Sequence, residues 1–439
     1  MCGIIGVVER RDTQVTEEVL TKMRFALVHR GPDGHGLWIG ANGRVGFGHA
    51  RLAIIDLSPG GHQPMSTEDE RYTITFNGEI YNYQALKKEL ESLGHSFQSS
   101  SDTEVLLAAY AEWGTSFLEK LNGMFAFAIW DEKEQTLFAA RDRLGEKPFK
   151  YHINEDRIIF ASELKSILTH PSVHREIDWQ AVDLAFSMRY VPAPRTGFVG
   201  IEKLPPGHSL LYKDNKVTIE PYWSLKDYTT EDNTKSYDQW KHELRETFDD
   251  AVKLRMMSDV PIGAFLSGGL DSSSVVAAMS AHSPNPVRTY SVGFPNTTDS
   301  EHEYAKMVAE RFGTEHTEIM IEPDVIKILP HLIHQYEEPF YDNSAVPTMA
   351  MSKITKQHVT VVLTGDGADE LLGGYPNYWF YQYLHRYHKL PGVLTRMLAP
   401  AAARGLARIL PKEKFKKMAY RAELLGHPLA QSYDDYYSI

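Results

Sequence analysis

Cysteine is nearly absent: Cys2 is the only one in 439 residues. No internal disulfide can form, and a reducing compartment is expected. No apolar run approaches the ~20 residues of a membrane span, and the first residues carry no basic leader. These absences lead to the expectation of a cytoplasmic protein. Cations are outnumbered, 46 Lys and Arg against 58 Asp and Glu, for a net charge of −12. That balance argues against nonspecific binding to nucleic acid or to an anionic membrane. It does not oppose a nucleotide, whose binding depends on local donors and a cation. The chain also lacks a G-x-x-x-x-G-K-S/T loop and a G-x-G-x-x-G turn, so neither common phosphate fingerprint applies. Apolar residues at 42% and charged residues at 24% are ordinary for globular proteins. At this length two or more domains are expected, because single cores seldom exceed about 250–300 residues.

What is present centres on Leu266-Ser267-Gly268-Gly269-Leu270-Asp271-Ser272-Ser273. The apolar run Val260–Leu266 before it suits a buried strand, and Ser274–Met279 after it suits a helix start. A strand, a Gly-Gly turn and a helix start bring backbone N–H groups and the positive helix end to one point, which favours phosphate. Ser267, Ser272 and Ser273 add hydroxyl donors. Asp271 would repel phosphate unless a cation such as Mg²⁺ lies between them. The plain alternative is a strand-to-helix turn with a serine N-cap.

The lone cysteine stands at position 2. Removal of Met1 would set its thiol beside its own α-amine, whose reference pKa is about 7.7–8. That pair is a nucleophile with a built-in base. Otherwise Cys2 is a small buried residue of an N-terminal strand, Ile4–Val8. Further along come His29-Arg30-Gly31-Pro32-Asp33 and a strand carrying Arg51. Thr73–Asn82 reads as a strand ending in Asn77-Gly78. Ser101-Asp102-Thr103 precedes a helix, and Gly123–Asp131 with Gln135–Arg141 reads as a hairpin. Taken singly, Asn77-Gly78 is a hairpin turn, Asp102 a helix N-cap and Arg51 a surface residue.

Together these motifs resemble the class II glutamine amidotransferase domain, an N-terminal-nucleophile hydrolase. The matching stretches are Cys2-Gly3-Ile4, His29–Asp33, Arg51-Leu52, Asn77-Gly78-Glu79, Ser101–Thr103 and Arg141-Asp142-Arg143. The resemblance implies an α+β, αββα sandwich in which Cys2 attacks the side-chain amide of glutamine. It assigns the oxyanion donors to the Asn77 side chain and the Gly78 N–H. Arg51 can offer a guanidinium fork to the substrate α-carboxylate, Asp102 a carboxylate to its α-ammonium, and Glu79 would complete the pocket. Where the family usually has an aromatic, this chain has Lys150, with no loss of function expected. Pro192 to Trp223 reads as a turn-rich connection and Asp227 to Lys235 as a surface linker.

In the second half, predicted strands at 260–266, 287–292, 316–321 and 359–363 alternate with helices, which implies a doubly wound parallel sheet. Ligands bind beyond the carboxyl ends of such strands. This half resembles the ATP-pyrophosphatase domain of glutamine-dependent asparagine synthetases, through Leu266–Ser273, Tyr290–Phe294, Glu337-Glu338-Pro339 and Val362–Leu371. The resemblance places Leu266, Val292, Thr364 and Gly365 against the adenosine of ATP. It places Ser267, Gly269, Asp271 and Ser272 on the pyrophosphate, and Asp366 where an acidic residue supports an acyl-adenylate. Asp271 and Asp369 could hold Mg²⁺; the alternative for the Asp366–Glu370 stretch is a solvated acidic loop. The family continues into a further helical region with a catalytic lysine. Lys412, Lys414, Lys416 and Lys417 cannot be matched to it, so a C-terminally shortened chain is expected.

The resulting expectation is a glutaminase domain over 2–210, a linker over 211–236 and a synthetase domain over 237–439 with an incomplete C-terminus. Its substrates would be glutamine, aspartate and ATP-Mg²⁺, with no nucleic-acid or membrane partner and with a homodimer as an option. The alternatives are a related amide ligase with another carboxylate acceptor, and a chain that only hydrolyses glutamine.

Overall fold

The computed structural model describes residues 1–229, 234–293, 302–321 and 324–389. The first half supplies strands β1 (Gly3–Glu9), β2 (Gly34–Ile39), β3 (Val45–Arg51), β4 (Met65–Ser66), β5 (Tyr72–Ile80) and β6 (Gly123–Asp131). They continue with β7 (Thr136–Arg141), β8 (Lys150–Ile153), β9 (Arg157–Ala161), β10 (Ile201–Lys203), β11 (His208–Lys213) and β12 (Lys216–Pro221). The helices are α1 (Glu17–Phe25), α2 (Tyr83–Ser92), α3 (Asp102–Trp113), α4 (Leu164–Ile167) and α5 (Trp179–Met188).

Two antiparallel six-stranded sheets form, in the orders β10-β8-β9-β1-β3-β2 and β12-β11-β7-β6-β5-β4. Strand alternation sorts their side chains between layers. Along β6, Phe125, Phe127 and Ile129 join Leu86, Leu90 and Leu106 of α2 and α3, while Ala126, Ala128 and Trp130 turn to the other sheet. Along β1, Ile4 and Val8 meet them there, and Ile5 and Val7 pack with Leu20 and Met23 of α1. Helix, sheet, sheet and helix thus stack as four layers.

Two local expectations change. Asn77-Gly78 does not end a strand: Asn77 pairs with Ala126 and Gly78 with Phe125 inside the β5–β6 ladder. The turn-rich stretch expected to leave the sandwich after 210 instead supplies the β11–β12 hairpin, with β11 paired to β7. The second sheet therefore extends to Pro221. Alternating Leu210, Tyr212, Val217 and Ile219 pack against its core, a signal hidden by the flanking prolines and glycines.

The second half contains α6 (Tyr237–Arg255), β13 (Ile262–Phe265), α7 (Leu270–His282), β14 (Arg288–Gly293), α8 (His302–Phe312) and β15 (Glu315–Met320). It goes on with α9 (Val325–Tyr336), α10 (Ala345–Thr355), β16 (Val361–Leu363), α11 (Ala368–Leu372) and α12 (Pro376–His388). The strands form a parallel sheet in the order β15-β14-β13-β16. Val275, Val276 and Met279 of α7 cover one face with Ala305 of α8, and Met351 and Ile354 of α10 pack on the other. The sheet is doubly wound as expected. Its order reverses between β13 and β16, and the crevice beyond their carboxyl ends is the usual ligand position. No helix among the described residues is long and apolar enough to cross a membrane.

Candidate active sites

Strand register builds the first site. Gly3 pairs with Ala50, so Cys2 emerges beside Arg51. The Leu52 N–H donates to Cys2 Sγ at 3.4 Å, and the thiol lies 3.5 Å from the Leu52 carbonyl. On β5, Thr75 donates its hydroxyl to the Gly48 carbonyl of β3 at 3.3 Å, so this face looks at the other sheet. Asn77 and Glu79 follow on the same face. Both line one cavity with Cys2, Arg51, Gly78 and Asp102. All six glutamine-site residues expected from sequence are therefore brought together.

Two polar atoms of the cavity wall lack partners. Asn77 Nδ2 and Glu79 Oε1 are buried without a hydrogen-bond partner. The Phe76 N–H donates to Gln63 Oε1 at 2.6 Å and the Ile80 N–H to Asp102 Oδ2 at 3.0 Å, both away from β6. Alternation points the intervening Gly78 N–H to that same open side. A Cβ on Gly78 would lie 2.2 Å from the Met124 carbonyl oxygen, so only glycine fits.

Electrostatics follow from enclosure. Burial pushes the Glu79 carboxyl up to about 7, and the neighbouring Asp102 adds repulsion. Burial likewise raises Asp102 to about 6, against the pull of backbone N–H groups. Burial raises the Cys2 thiol and lowers the adjoining Met1 amine to about 6. A thiol pushed up requires a base, and this enclosure disfavours the charged form of an amine at the N-terminus. Asp102 is not the N-cap of α3; Ser101 takes that role by accepting from the Thr103 N–H. Arg51 donates to the Ser58 carbonyl at 3.1 Å and to the Asp56 carbonyl, which fixes its guanidinium at the cavity wall.

Sequence reading passed over the residues that hold this frame. Arg30 Nε donates to the Cys2 carbonyl at 2.8 Å, and its Nη1 donates to Glu163 at 2.8 Å. Burial would push Glu163 up, but hydrogen bonds from His29 and Lys165 and the Arg30 charge hold it well below the usual carboxylate range. His49 Nε2 meets the Phe76 carbonyl at 3.0 Å, and burial pushes this imidazole down to about 3, so it is a neutral donor. His29 and Arg30 lie in a quoted motif, but nothing in the spacing of these residues announces these pairings.

The second site lies where β13 and β16 end. Gly268 has φ +84°, and a Cβ there would be 2.5 Å from Ala305 N. The Ser267 N–H and the Ser272 hydroxyl lie 3.2 Å apart, the two hydroxyls 3.0 Å apart, and the Gly269 N–H donates to the Ser267 hydroxyl at 3.2 Å. The α7 N-cap is Gly269, without a side-chain cap, so the plain serine-cap alternative fails. A Cβ on Gly365 would lie 2.8 Å from the Ser272 N and 2.9 Å from the Asp271 Cβ. The two loops therefore touch, bringing Ser267, Gly269, Asp271 and Ser272 to Thr364 and Gly365. Leu266 is buried, and its N–H donates to the Tyr290 carbonyl at 2.8 Å. Val292 is half-buried at the end of the adjacent strand β14. Asp366 is exposed and accepts from the Thr364 hydroxyl at 3.0 Å. Asp271 and Asp369 form no ion pair among the described residues. Among the described residues no group of three His, Cys, Asp or Glu gathers there to hold a metal. Phe294 and Lys412–Lys417 lie outside the described residues.

The halves meet through Glu337-Glu338. Glu337 accepts from the Leu164 and Lys165 N–H groups at 2.8 and 2.7 Å and pairs with Lys150 at 3.0 Å. Glu338 accepts from the Gly197 N–H at 2.8 Å and pairs with Lys203 at 2.8 Å. Near the first cavity, the Asp259 N–H donates to the Ile54 carbonyl at 3.1 Å, and Asp259 Oδ2 accepts from the Asp56 N–H at 2.8 Å.

The fold and the first cavity define a class: an N-terminal-nucleophile glutamine amidotransferase domain joined to a doubly wound α/β domain. A family model described as a glutamine amidotransferase domain matches residues 1–223, and one described as asparagine synthase matches residues 243–438. The chain is 40% identical over 410 residues to the glutamine-hydrolyzing asparagine synthetase 1 of Bacillus subtilis, covering 92% of this chain and 63% of that one. It is 38% identical over 445 residues to a putative asparagine synthetase 2 of Methanocaldococcus jannaschii, covering 95% of this chain and 84% of that one. The chain belongs to the glutamine-hydrolysing asparagine synthetase family. It spans less than two thirds of the length of the Bacillus synthetases 1 and 3, 63% and 64%.

Proposed function

We propose that this chain makes L-asparagine from L-aspartate, L-glutamine and ATP, giving glutamate, AMP and pyrophosphate. The observation that carries the reading is the convergence of Cys2, Arg51, Asn77, Gly78, Glu79 and Asp102 on one cavity, with a second crevice in the joined domain. Arg51 takes the α-carboxylate of glutamine, and Asp102 with Glu79 takes its α-ammonium. With Met1 removed, the Cys2 α-amine accepts the thiol proton and the sulfur attacks the amide carbon. Asn77 Nδ2 and the Gly78 N–H hold the oxyanion. Ammonia leaves as the thioester forms, and water then releases glutamate. Free ammonia in water is mostly protonated and is then no nucleophile, so an internal route preserves its reactivity. The contact of Asp259 with Ile54, a cavity-lining residue, supports a route across that junction.

In the second crevice Leu266, Val292, Thr364 and Gly365 border the adenosine, and Ser267, Gly269 and Ser272 cradle the phosphates. Asp271 and Asp369, without ion-pair partners among the described residues, suit a hard cation, and Mg²⁺ there would offset phosphate charge. Aspartate attacks the α-phosphorus through its β-carboxylate and pyrophosphate leaves, with Asp366 placed to support the adenylate. Ammonia then displaces AMP. The reading includes a cytoplasmic location and leaves a homodimer open.

A second reading, glutamine hydrolysis without synthesis, is favoured by one contrast: Asn77, Glu79 and Asp102 of the first cavity are buried, whereas Asp366 is exposed. A single incubation with glutamine, aspartate, ATP and Mg²⁺ separates them when glutamate, pyrophosphate, AMP and asparagine are assayed individually. Synthesis requires all four; glutamate alone leaves only the hydrolase. Cys2→Ala should abolish glutamine use and spare ammonia-dependent synthesis, and loss of both would contradict two separate sites.

A further inference from the structure

The first cavity holds one side chain that the glutamine reading leaves idle. Lys147 follows β7 and is only 6% exposed. Its backbone is pinned, with the N–H donating to Asp142 Oδ2 at 2.9 Å and the carbonyl accepting from Arg141 Nε at 2.7 Å. Its side chain lines the cavity with Cys2 and Glu79. Its ammonium donates to the Met1 sulfur at 3.4 Å, and Arg30 Nη2 reaches the same sulfur at 3.9 Å. A thioether is a weak acceptor, and Met1 departs if Cys2 is to become the N-terminus. A buried ammonium with no anionic hydrogen-bond partner is costly, so its place at the nucleophile calls for a reason.

We propose that Lys147 is a positioning residue for the nucleophile: once Met1 is removed, its ammonium and the Arg30 guanidinium keep the Cys2 α-amine in its neutral, proton-accepting form. This rests on the reading of Cys2 as an N-terminal nucleophile. The charges facing the amine divide cleanly. Around the Met1 amine, one residue before the Cys2 nitrogen, burial first and then Arg30, after α1, and Lys147, after β7, favour loss of the proton, while the Cys2 thiol and Glu79 on β5 favour its retention. Arg30 also holds the Cys2 carbonyl at 2.8 Å, so the same cations flank the nitrogen that Met1 removal frees. Asp102 at the start of α3 acts on the thiol rather than directly on the amine. Glu146, Glu79 and Asp142 face Lys147 and favour its charge, while burial and Arg30 oppose it. Two cations beside the amine thus offset the neighbouring acids, and the Cys2 Sγ–H proton has a vacant nitrogen to move to as sulfur attacks. When ammonia leaves, that proton leaves with it.

The test uses the full chain, with loss of Met1 verified by mass spectrometry for every variant. The kcat/KM of glutamine hydrolysis is measured against pH for the parent, Lys147→Met and Lys147→Arg. Removing the cation should raise the amine pKa, so the acidic limb of Lys147→Met should move up by about one pH unit. Lys147→Arg should restore it. Alkylation of Cys2 by iodoacetamide without glutamine should show the same displacement, which a purely structural role would not produce. Should Lys147→Met fail to fold, Lys147→Gln carries the same comparison. Loss of Met1 with an unmoved limb in both assays overturns the role of Lys147 alone. Full activity with Met1 retained overturns the amine-base reading beneath it.

Discussion

The two sites differ in how finished they are. In the glutaminase half, strand register places Cys2, Asn77, Gly78 and Glu79, and buried partners lock each backbone segment: Arg30 on the Cys2 carbonyl, His49 and Gln63 on Phe76, Asp102 on Ile80. Asn77 Nδ2 and Glu79 Oε1 are left unpaired inside that buried frame. In the second half, the serine loop bonds mainly to itself, and Asp366 stands in solvent against Thr364. A rigid cavity can stabilise an oxyanion without ligand help. On the proposed reading, a crevice of short, partly exposed loops would need nucleotide and cation to complete it.

The contrast predicts unequal responses to small changes. The largest is expected at Gly78. Replacing it by Ala puts a Cβ against the Met124 carbonyl, at 2.2 Å, and must displace the backbone N–H proposed as an oxyanion donor. Glutamine hydrolysis should fall by roughly 10²–10³-fold, the usual cost of one lost donor. Ammonia-dependent pyrophosphate release should persist. An unchanged hydrolysis rate would show that the first site is not preorganised. Asp271→Asn addresses the other side. Pyrophosphate release should drop by about 10–10²-fold at fixed Mg²⁺, partly recovering as Mg²⁺ is raised, while glutamate formation is untouched. Equal loss in both assays would abolish the distinction between the sites.

Between them lies Glu337, which accepts two N–H groups at the start of α4 and pairs with Lys150, whose side chain is 12% exposed. Lys165 continues from Glu337 to Glu163, which pairs with Arg30 on Cys2. Glu337→Ala strands Lys150, and breaking a buried pair costs about 3–5 kcal/mol. The expected result is a splitting of one thermal transition into two and a several-fold rise in glutamate formed per pyrophosphate. A single unshifted transition would show that the doublet does not hold the halves together.

Legibility in the sequence followed the same division. The αββα sandwich was readable because period-2 runs such as Phe125–Trp130 and the motif set are both strong signals. The candidate site residues could be named through the motif resemblance, with Arg51 and Asp102 also matching the charges of glutamine, and the structure brings all six to one cavity. What stayed hidden depends on distance along the chain: Arg30 to Glu163, Lys150 to Glu337, His49 to the Phe76 carbonyl. Lys150 in particular read as an indifferent replacement of an aromatic, because its partner comes 187 residues later. The β11–β12 hairpin was masked by the Pro205-Pro206-Gly207 turn that precedes it. Asn77-Gly78 was misread as a strand end because the dipeptide favours hairpin turns, whereas here close approach to Met124 demands the glycine.

The smallest effect tests enclosure itself. The Glu79 carboxyl is raised from 4.5 to about 7, by burial first and Asp102 second. A raised folded-state value means the stability tied to the protonated form is fully present below the unfolded pKa of about 4.3 and is lost as pH rises through about 7. At pH 8 the folded chain therefore carries a strained carboxylate, costing at most about 4 kcal/mol and less after relaxation. Glu79→Gln should raise the melting temperature at pH 8 relative to the parent and leave it nearly unchanged at pH 4. Asp366→Asn, in the exposed loop, should change stability at neither pH by more than about 0.5 kcal/mol. A Glu79→Gln variant with the parent's melting temperature at both pH values would mean that water reaches the first cavity as freely as the second, and the difference between closed and open sites would no longer explain their chemistry.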